Sequence, residues 1–245
     1  MIKTTKSTPG ELIFGLNPLL EVLKVRKRKL ISIYTTKPEP KGFATVQKLM
    51  PKYPVAIQYV AREVLHRMAG TTDHQGFVAW VQPFGFRQKA FTTDKQPFVI
   101  LLDGIQDPRN VGAIIRSAHC AGVDGVILPQ KNGTNLTGAA FKSSAGLAEH
   151  MQIYQPSSSE FAMQELKAAG YTIYLAVFNG ADARTVSFKQ PACLVVGSEG
   201  YGISSSLLRS GEHITIPQRT EDISYNVSVA SGILLFLMST NLKRI

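Results

Sequence analysis

The chain has 245 residues and is 44% hydrophobic, with no apolar run long enough to span a bilayer, which excludes a disordered chain and points away from a helical membrane protein. Its net charge of +10 lies entirely in residues 1–96, which carry 16 Lys/Arg against 6 Asp/Glu, whereas residues 97–245 carry 11 of each. A basic module joined to a neutral one points to a polyanion-binding piece beside a piece with another task.

The first residues, MIKTTKSTPGEL, have no apolar run after their lysines, so no signal peptide is expected. Cys120 and Cys193 lie far apart without a CxxC, which fits a reduced, cytoplasmic setting. In chain order, GLNPLLEVLK predicts a helix with Asn17 at the cap and Pro18 at its first position. KLISIYTT predicts a strand, FATVQKLM a helix, VAIQYV a strand, REVLHRM a helix, and QGFVAWVQ a strand with period-2 alternation. Residues 1–83 are thus expected to form a small basic α/β domain. Residues 84–96, FGFRQKAFTTDKQ, lack periodicity and read as a linker, with Phe84, Phe86 and Phe91 as anchors that dock it.

From residue 97 the apolar runs FVILLD, GVIL, YTIYLAVF, ACLVVG and HITI are continuous rather than alternating, the pattern of strands buried on both faces of a parallel sheet. Helical patterns lie between them at 111–121, 158–169, 204–209 and 226–242. Residues 97–245 are therefore expected to form a second α/β domain.

Many familiar sites are absent. There is no GxGxxG after the first strand and no GxxxxGK[ST], and VGSEG falls one Gly short of a GxSxG elbow. His66, His74, His119, His150 and His213 show no metal-ligand spacing, so no metal is expected. What remains is three polar loops, each after a buried strand: DGIQDPRNVGAIIR, GSEGYGIS and PQRTEDISYNVS. The C-terminal edge of a parallel sheet is where ligands bind, so the three loops predict one crevice. In the first, Asn110 has the chemistry of an N-cap, and Arg116 follows Gly112 by one helical turn, where a guanidinium above a glycine gap could hold a phosphate or ribose oxygen. In the second, Gly197, Gly200 and Gly202 surround Glu199. The third places Ser224 and Asn226 before an apolar helix.

Together and in this order, DPRNVGAIIRSAHCAGVDGVIL, LVVGSEGYGIS and ITIP…SYNVSVASGILLF resemble the three signature motifs of the SpoU-type RNA ribose 2′-O-methyltransferases of the SPOUT superfamily. KSSAGLAEHMQI and HQGFVAWV add to the likeness, which covers nearly the whole chain. The resemblance implies an N-terminal RNA-binding domain, a C-terminal α/β-knot domain with a trefoil-knotted, mainly parallel sheet, S-adenosylmethionine as cofactor, and a homodimer with its site at the subunit interface. It implies catalytic roles for Asn110, Arg116, Glu199, Ser224 and Asn226. Gly197, Ile216 and Tyr225 match positions whose backbone holds the adenosyl part, with Gly200 and Gly202 allowing close approach. The chain departs from the family at Tyr225, where Leu is usual, and at Gln218-Arg219-Thr220, where Met-x-Gly is usual.

The substrate implied is RNA, not DNA or a membrane, and large-subunit rRNA in view of the two-domain layout. A tRNA substrate, or a non-catalytic RNA-binding or ribosome-assembly protein of the same fold, are the alternatives. The candidate RNA contacts are Lys24, Arg26, Lys27, Arg28 and Lys29, with Arg219 as a further phosphate contact.

Overall fold

The computed structural model describes residues 10–220 and 223–245; residues 1–9, where no signal peptide is expected, and residues 221 and 222 of the third polar loop lie outside them. The chain divides into two compact units, one from Met1–Gly85 with Thr137–Glu149, the other from Phe86–Leu136 with His150–Ile245. The elements run β1 (Glu11–Phe14), α1 (Leu16–Val25), β2 (Leu30–Thr35), α2 (Phe43–Leu49), β3 (Ala56–Tyr59), α3 (Arg62–Ala69), β4 (Phe77–Val81) and β5 (Phe98–Asp103). They continue with α4 (Pro108–Cys120), β6 (Gly125–Ile127), α5 (Gly138–Ser143), a 3-10 turn (Leu147–Glu149), β7 (Gln152–Tyr154) and α6 (Ser159–Ala168). The last are β8 (Thr172–Asp182), β9 (Ala192–Gly197), β10 (Glu212–Thr215) and α7 (Val227–Asn241).

The first unit carries a sheet of order β1-β4-β2-β3, with β4 antiparallel to β1 and β2, and β3 parallel to β2. β4 lies between two strands and is buried along nearly its whole length, so the alternation expected of it gives way to a core strand. Asn17 does not cap α1; the helix begins after Gly15 without a side-chain cap, and Asn17 sits within its first turn. α5 packs on β1, which brings residues 137–149 into this unit.

Arg28 secures that attachment. Its Nε donates to both carboxylate oxygens of Glu149 at 3.1 Å, and one terminal nitrogen donates to Glu11 Oε2 at 2.7 Å and the Gln82 carbonyl at 3.1 Å. The guanidinium also lies 4.4 Å from the Phe141 ring centroid and 5.7 Å from that of Phe84. Arg28 and Glu149 are both buried. Burial pushes the Glu149 carboxyl up, against the pull of Arg28. Removing one member of such a pair costs about 3–5 kcal/mol, because the other is left charged and unpaired. Arg28, expected among the RNA contacts, is therefore turned inward, while Lys24, Arg26, Lys27 and Lys29 stay exposed.

The second unit carries a six-stranded sheet of order β10-β8-β9-β5-β6-β7, with every pairing parallel. Residues 86–96 dock on it. The Arg87 backbone N–H donates to the Ile153 carbonyl at 2.8 Å, and Phe91 is buried over Gly125, where a Cβ would lie 2.1 Å from the ring. Val99, Leu101, Cys193 and Val195 join a core with Ala162, Met163 and Leu166 of α6. Crossover handedness places α4 on the opposite face from α6, since β5 to β6 and β7 to β8 move in opposite directions across the sheet. α7 packs on α4 and β9. Residues 204–209, expected to be helical, form turns instead, too short to complete a helical ladder.

His74 is fully buried, and its Nδ1 accepts the Gly76 N–H at 3.0 Å. Its ring proton therefore sits on Nε2, and a second proton has no place. Burial pushes the imidazole pKa down, with His66, Arg62 and Lys142 adding to the effect and Asp73 opposing it. The unfolded chain therefore takes up this proton at a higher pH than the native one. We expect the urea midpoint, followed through Trp80, to fall as pH drops below about 6.5. His74→Asn, whose Oδ1 can occupy the Nδ1 position, should flatten that part of the profile.

Candidate active site

In the parallel sheet, β6 and β7 lie on one side of β5, and β9, β8 and β10 on the other. The connections therefore reverse direction at β5 and β9, and their C-terminal ends frame the crevice expected of such a switch point. The loops after β5, β9 and β10 are the three polar segments.

The first loop enters α4 through Asp107, whose side chain accepts the Arg109 N–H at 2.8 Å, with Pro108 at the first helical position. Asn110 is thus not the cap that its residue type predicts. It lies inside the first turn with its amide free to reach sideways. The second loop is a tight turn in which the Ser198 and Gly202 backbones bond reciprocally at 3.0 and 2.9 Å. A Cβ on Gly197 would lie 2.0 Å from the Gly202 carbonyl carbon, so only glycine fits there. The third loop ends at Asn226, which caps α7 by accepting the Ser228 N–H at 2.9 Å.

One side chain joins the three. Asn110 Nδ2 donates to Glu199 Oε1, and Asn110 Oδ1 accepts from Asn226 Nδ2 at 3.3 Å. Two expected residues stand apart. Arg116 is exposed on α4 and Gly112 is buried, and Arg116 and Ser224 make no hydrogen bond or ion pair among the described residues. Ile216 is half-buried just past β10, Tyr225 is exposed, and Arg219 is exposed beside the Gln218 Nε2 to Thr220 carbonyl bond of 2.7 Å.

Sequence reasoning passed over Asp103. Its buried carboxylate accepts the Ser204 N–H at 2.7 Å and fastens the second loop to the end of β5. The signal was present as a lone acid closing the apolar run FVILL. Tyr201, at the tip of the second loop, was also passed over.

Cβ atoms on Gly200 and Gly202 would meet nothing within 4 Å. The glycine loop therefore leaves open space along exposed backbone, which fits a ligand held by main-chain groups, as the cofactor's adenosyl part would be.

Residues 97–236 match the SpoU rRNA methylase family, and residues 12–86 match the substrate-binding domain of RNA 2′-O ribose methyltransferases. Over 239 residues the chain is 31% identical to YacO of Bacillus subtilis, grouped with TrmH family tRNA/rRNA methyltransferases, covering 94% of this chain and 95% of the relative. It is 30% identical to the 23S rRNA (guanosine-2′-O-)-methyltransferase RlmB of Shewanella oneidensis, over 92% of this chain and 95% of that one. Two solved structures share the fold. An AdoMet-bound rRNA methyltransferase from Sinorhizobium meliloti superposes with a TM-score of 0.77 at 23% identity, covering 95% of this chain and 88% of its own. A structure described for 2-OH methylation of C/U34 on tRNA reaches 0.54 at 23% identity, covering 61% of this chain and 98% of its own.

Both matched regions point to one class of protein, the RNA 2′-O-ribose methyltransferases. Within that class, the chain belongs to the SpoU rRNA methylase family.

Asn110→Asp would set a second carboxylate against Glu199 in place of an amide donor. The repulsion should part the first and second loops and lower kcat/KM for methyl transfer about 100-fold, the scale of a misplaced reacting group. Circular dichroism should show the fold retained.

Proposed function

We propose that the chain methylates a ribose 2′-oxygen of large-subunit rRNA, acting as a cytoplasmic homodimer. The observation that carries the reading is the joining of Glu199, Asn110 and Asn226 at the sheet's switch point. The rRNA substrate is favoured by coverage: the rRNA neighbour aligns with both units, whereas the tRNA neighbour spans a share about the size of the second unit alone. The exposed run Lys24, Arg26, Lys27 and Lys29 supplies phosphate contacts from the basic unit, and Arg219 another from the third loop.

Bound S-adenosylmethionine would supply an electrophilic methyl on a sulfonium whose positive charge diminishes as the S–C bond breaks and is lost on forming the thioether. The backbone at Gly197, Ile216 and Tyr225 would hold the adenosyl part, and Gly200 and Gly202 would let it approach. Asn110 orients the ribose while holding Glu199 in place, and Ser224 and Asn226 bond the substrate. Arg116 clamps the phosphate beside the target and stabilises the alkoxide as it forms. A guanidinium offers only donors, so Arg116 acts through charge and hydrogen bonds, and the 2′-hydroxyl proton leaves to a phosphate oxygen or to water.

The proposed second copy would bear on this role for Arg116. On α7, Val229 and Phe236 are 50% and 60% exposed, with Ile233 half-buried between them at helical spacing. A partner copy covering this stripe would bring its own groups to α4, which α7 packs against, and so to Arg116.

The decisive assay combines labelled S-adenosylmethionine with unmodified large-subunit rRNA and tRNA in parallel, reading label in alkali-resistant dinucleotides. Label in rRNA is expected; label in tRNA alone would overturn the substrate. Arg116→Ala should abolish transfer and leave cofactor affinity nearly intact, whereas equal loss of both would make the arginine structural. For the dimer, Phe236→Glu should shift the sedimentation profile to monomer and abolish transfer; a wild-type monomer would overturn the subunit arrangement.

A further inference from the structure

The roles above leave one side chain of the second loop without a task. Tyr201 is 95% exposed. Its backbone is nonetheless fixed. The Tyr201 N–H donates to Ser198 Oγ at 3.3 Å, inside the turn closed by the reciprocal Ser198 and Gly202 bonds. That turn is fastened at Glu199 by Asn110 and at Ser204 by Asp103. A pinned turn thus presents a bare aromatic ring two residues from the Glu199–Asn110 contact. Folding gains nothing from a large apolar ring left in water, and no packing reason in the second unit accounts for it.

The substrate accounts for it. A ribose 2′-hydroxyl reaches a crevice at a sheet edge most readily in a single-stranded nucleotide, whose base is free to leave its stack. Proteins that handle such bases stack them on aromatic side chains, because every base has a π-face. We infer that Tyr201 is a stacking platform for the nucleobase at or beside the methylated ribose, an inference that rests on the RNA 2′-O-methyltransferase reading. The ring face performs this role and the hydroxyl does not. The contact selects for an unstacked nucleotide without choosing among the four bases, leaving base identity to other groups. Glycines on both sides, Gly200 and Gly202, keep the approach to the ring open, since Cβ atoms there would meet nothing within 4 Å.

The test uses the full chain, labelled S-adenosylmethionine and unmodified large-subunit rRNA, with cofactor affinity measured separately by equilibrium dialysis. Tyr201→Ala is expected to lower kcat/KM for RNA about 5- to 100-fold, the range for loss of one base–aromatic stack, with cofactor affinity within about twofold of wild type. Tyr201→Phe and Tyr201→Trp are expected to recover the loss. Unchanged kcat/KM in Tyr201→Ala, with the wild type active, overturns the stacking role alone. A parallel loss of cofactor affinity overturns it as well, because the ring would then cover the cofactor. Failure of Tyr201→Phe to recover assigns the effect to the hydroxyl and overturns it too. No label from the wild type on any RNA overturns the methyltransferase reading together with the inference built on it.

Discussion

The arrangement at the sheet edge depends on where α4 begins. Asp107 takes the capping bond and Pro108 the first helical position, so the helix starts two residues before Asn110. Had Asn110 been the cap, its oxygen would have been spent on a backbone N–H of its own helix. Released from that task, the amide acts in both directions, as donor to Glu199 and acceptor from Asn226. A carboxamide suits this position because it carries donor and acceptor on one short, neutral group. A carboxylate would repel Glu199, and an ammonium could not accept from Asn226. The local chemistry of a helix start thus decides whether three loops from three strands share one site.

The sheet supplies the other half of the constraint. Loops after parallel strands leave from one edge, and the reversal at β5 and β9 opens that edge between helices on opposite faces. Asp103 and the Gly197 turn then bring the second loop back against β5. The site is built on rigid strand ends, with glycine backbone left exposed where a ligand must come close.

The sequence made parts of this readable and hid others for physical reasons. The buried parallel strands stood out because burial on both faces erases alternation and leaves continuous apolar runs. The three polar loops stood out because each follows such a run. β1 and β7 did not, since four and three residues are too few to display a period. Asn110 was misread as a cap because Asp107 and Asn110 are both good capping residues and only backbone geometry chooses between them. Arg28 was misread as an RNA contact because it sits in a basic run, while its partner Glu149 lies 121 positions away. Burial of a charge is a property of the folded chain, and no local pattern reports it.

That same pairing bears on how the chain is divided. Residues 137–149 fall within the stretch that matches the methylase family, yet they pack in the unit that carries the substrate-binding match. A contiguous boundary drawn through the sequence assigns them by position; Arg28, Phe84 and Phe141 assign them by contact. The ion pair is an expensive way to hold a segment, since both charges must leave water. Its advantage over an apolar contact is direction: a guanidinium bonded to Glu149, Glu11 and the Gln82 carbonyl accepts one placement of the segment and penalises the rest. The charge-rich half of the chain therefore uses its arginines in two ways, one turned inward to fix the unit's architecture and the others left in water to meet phosphate.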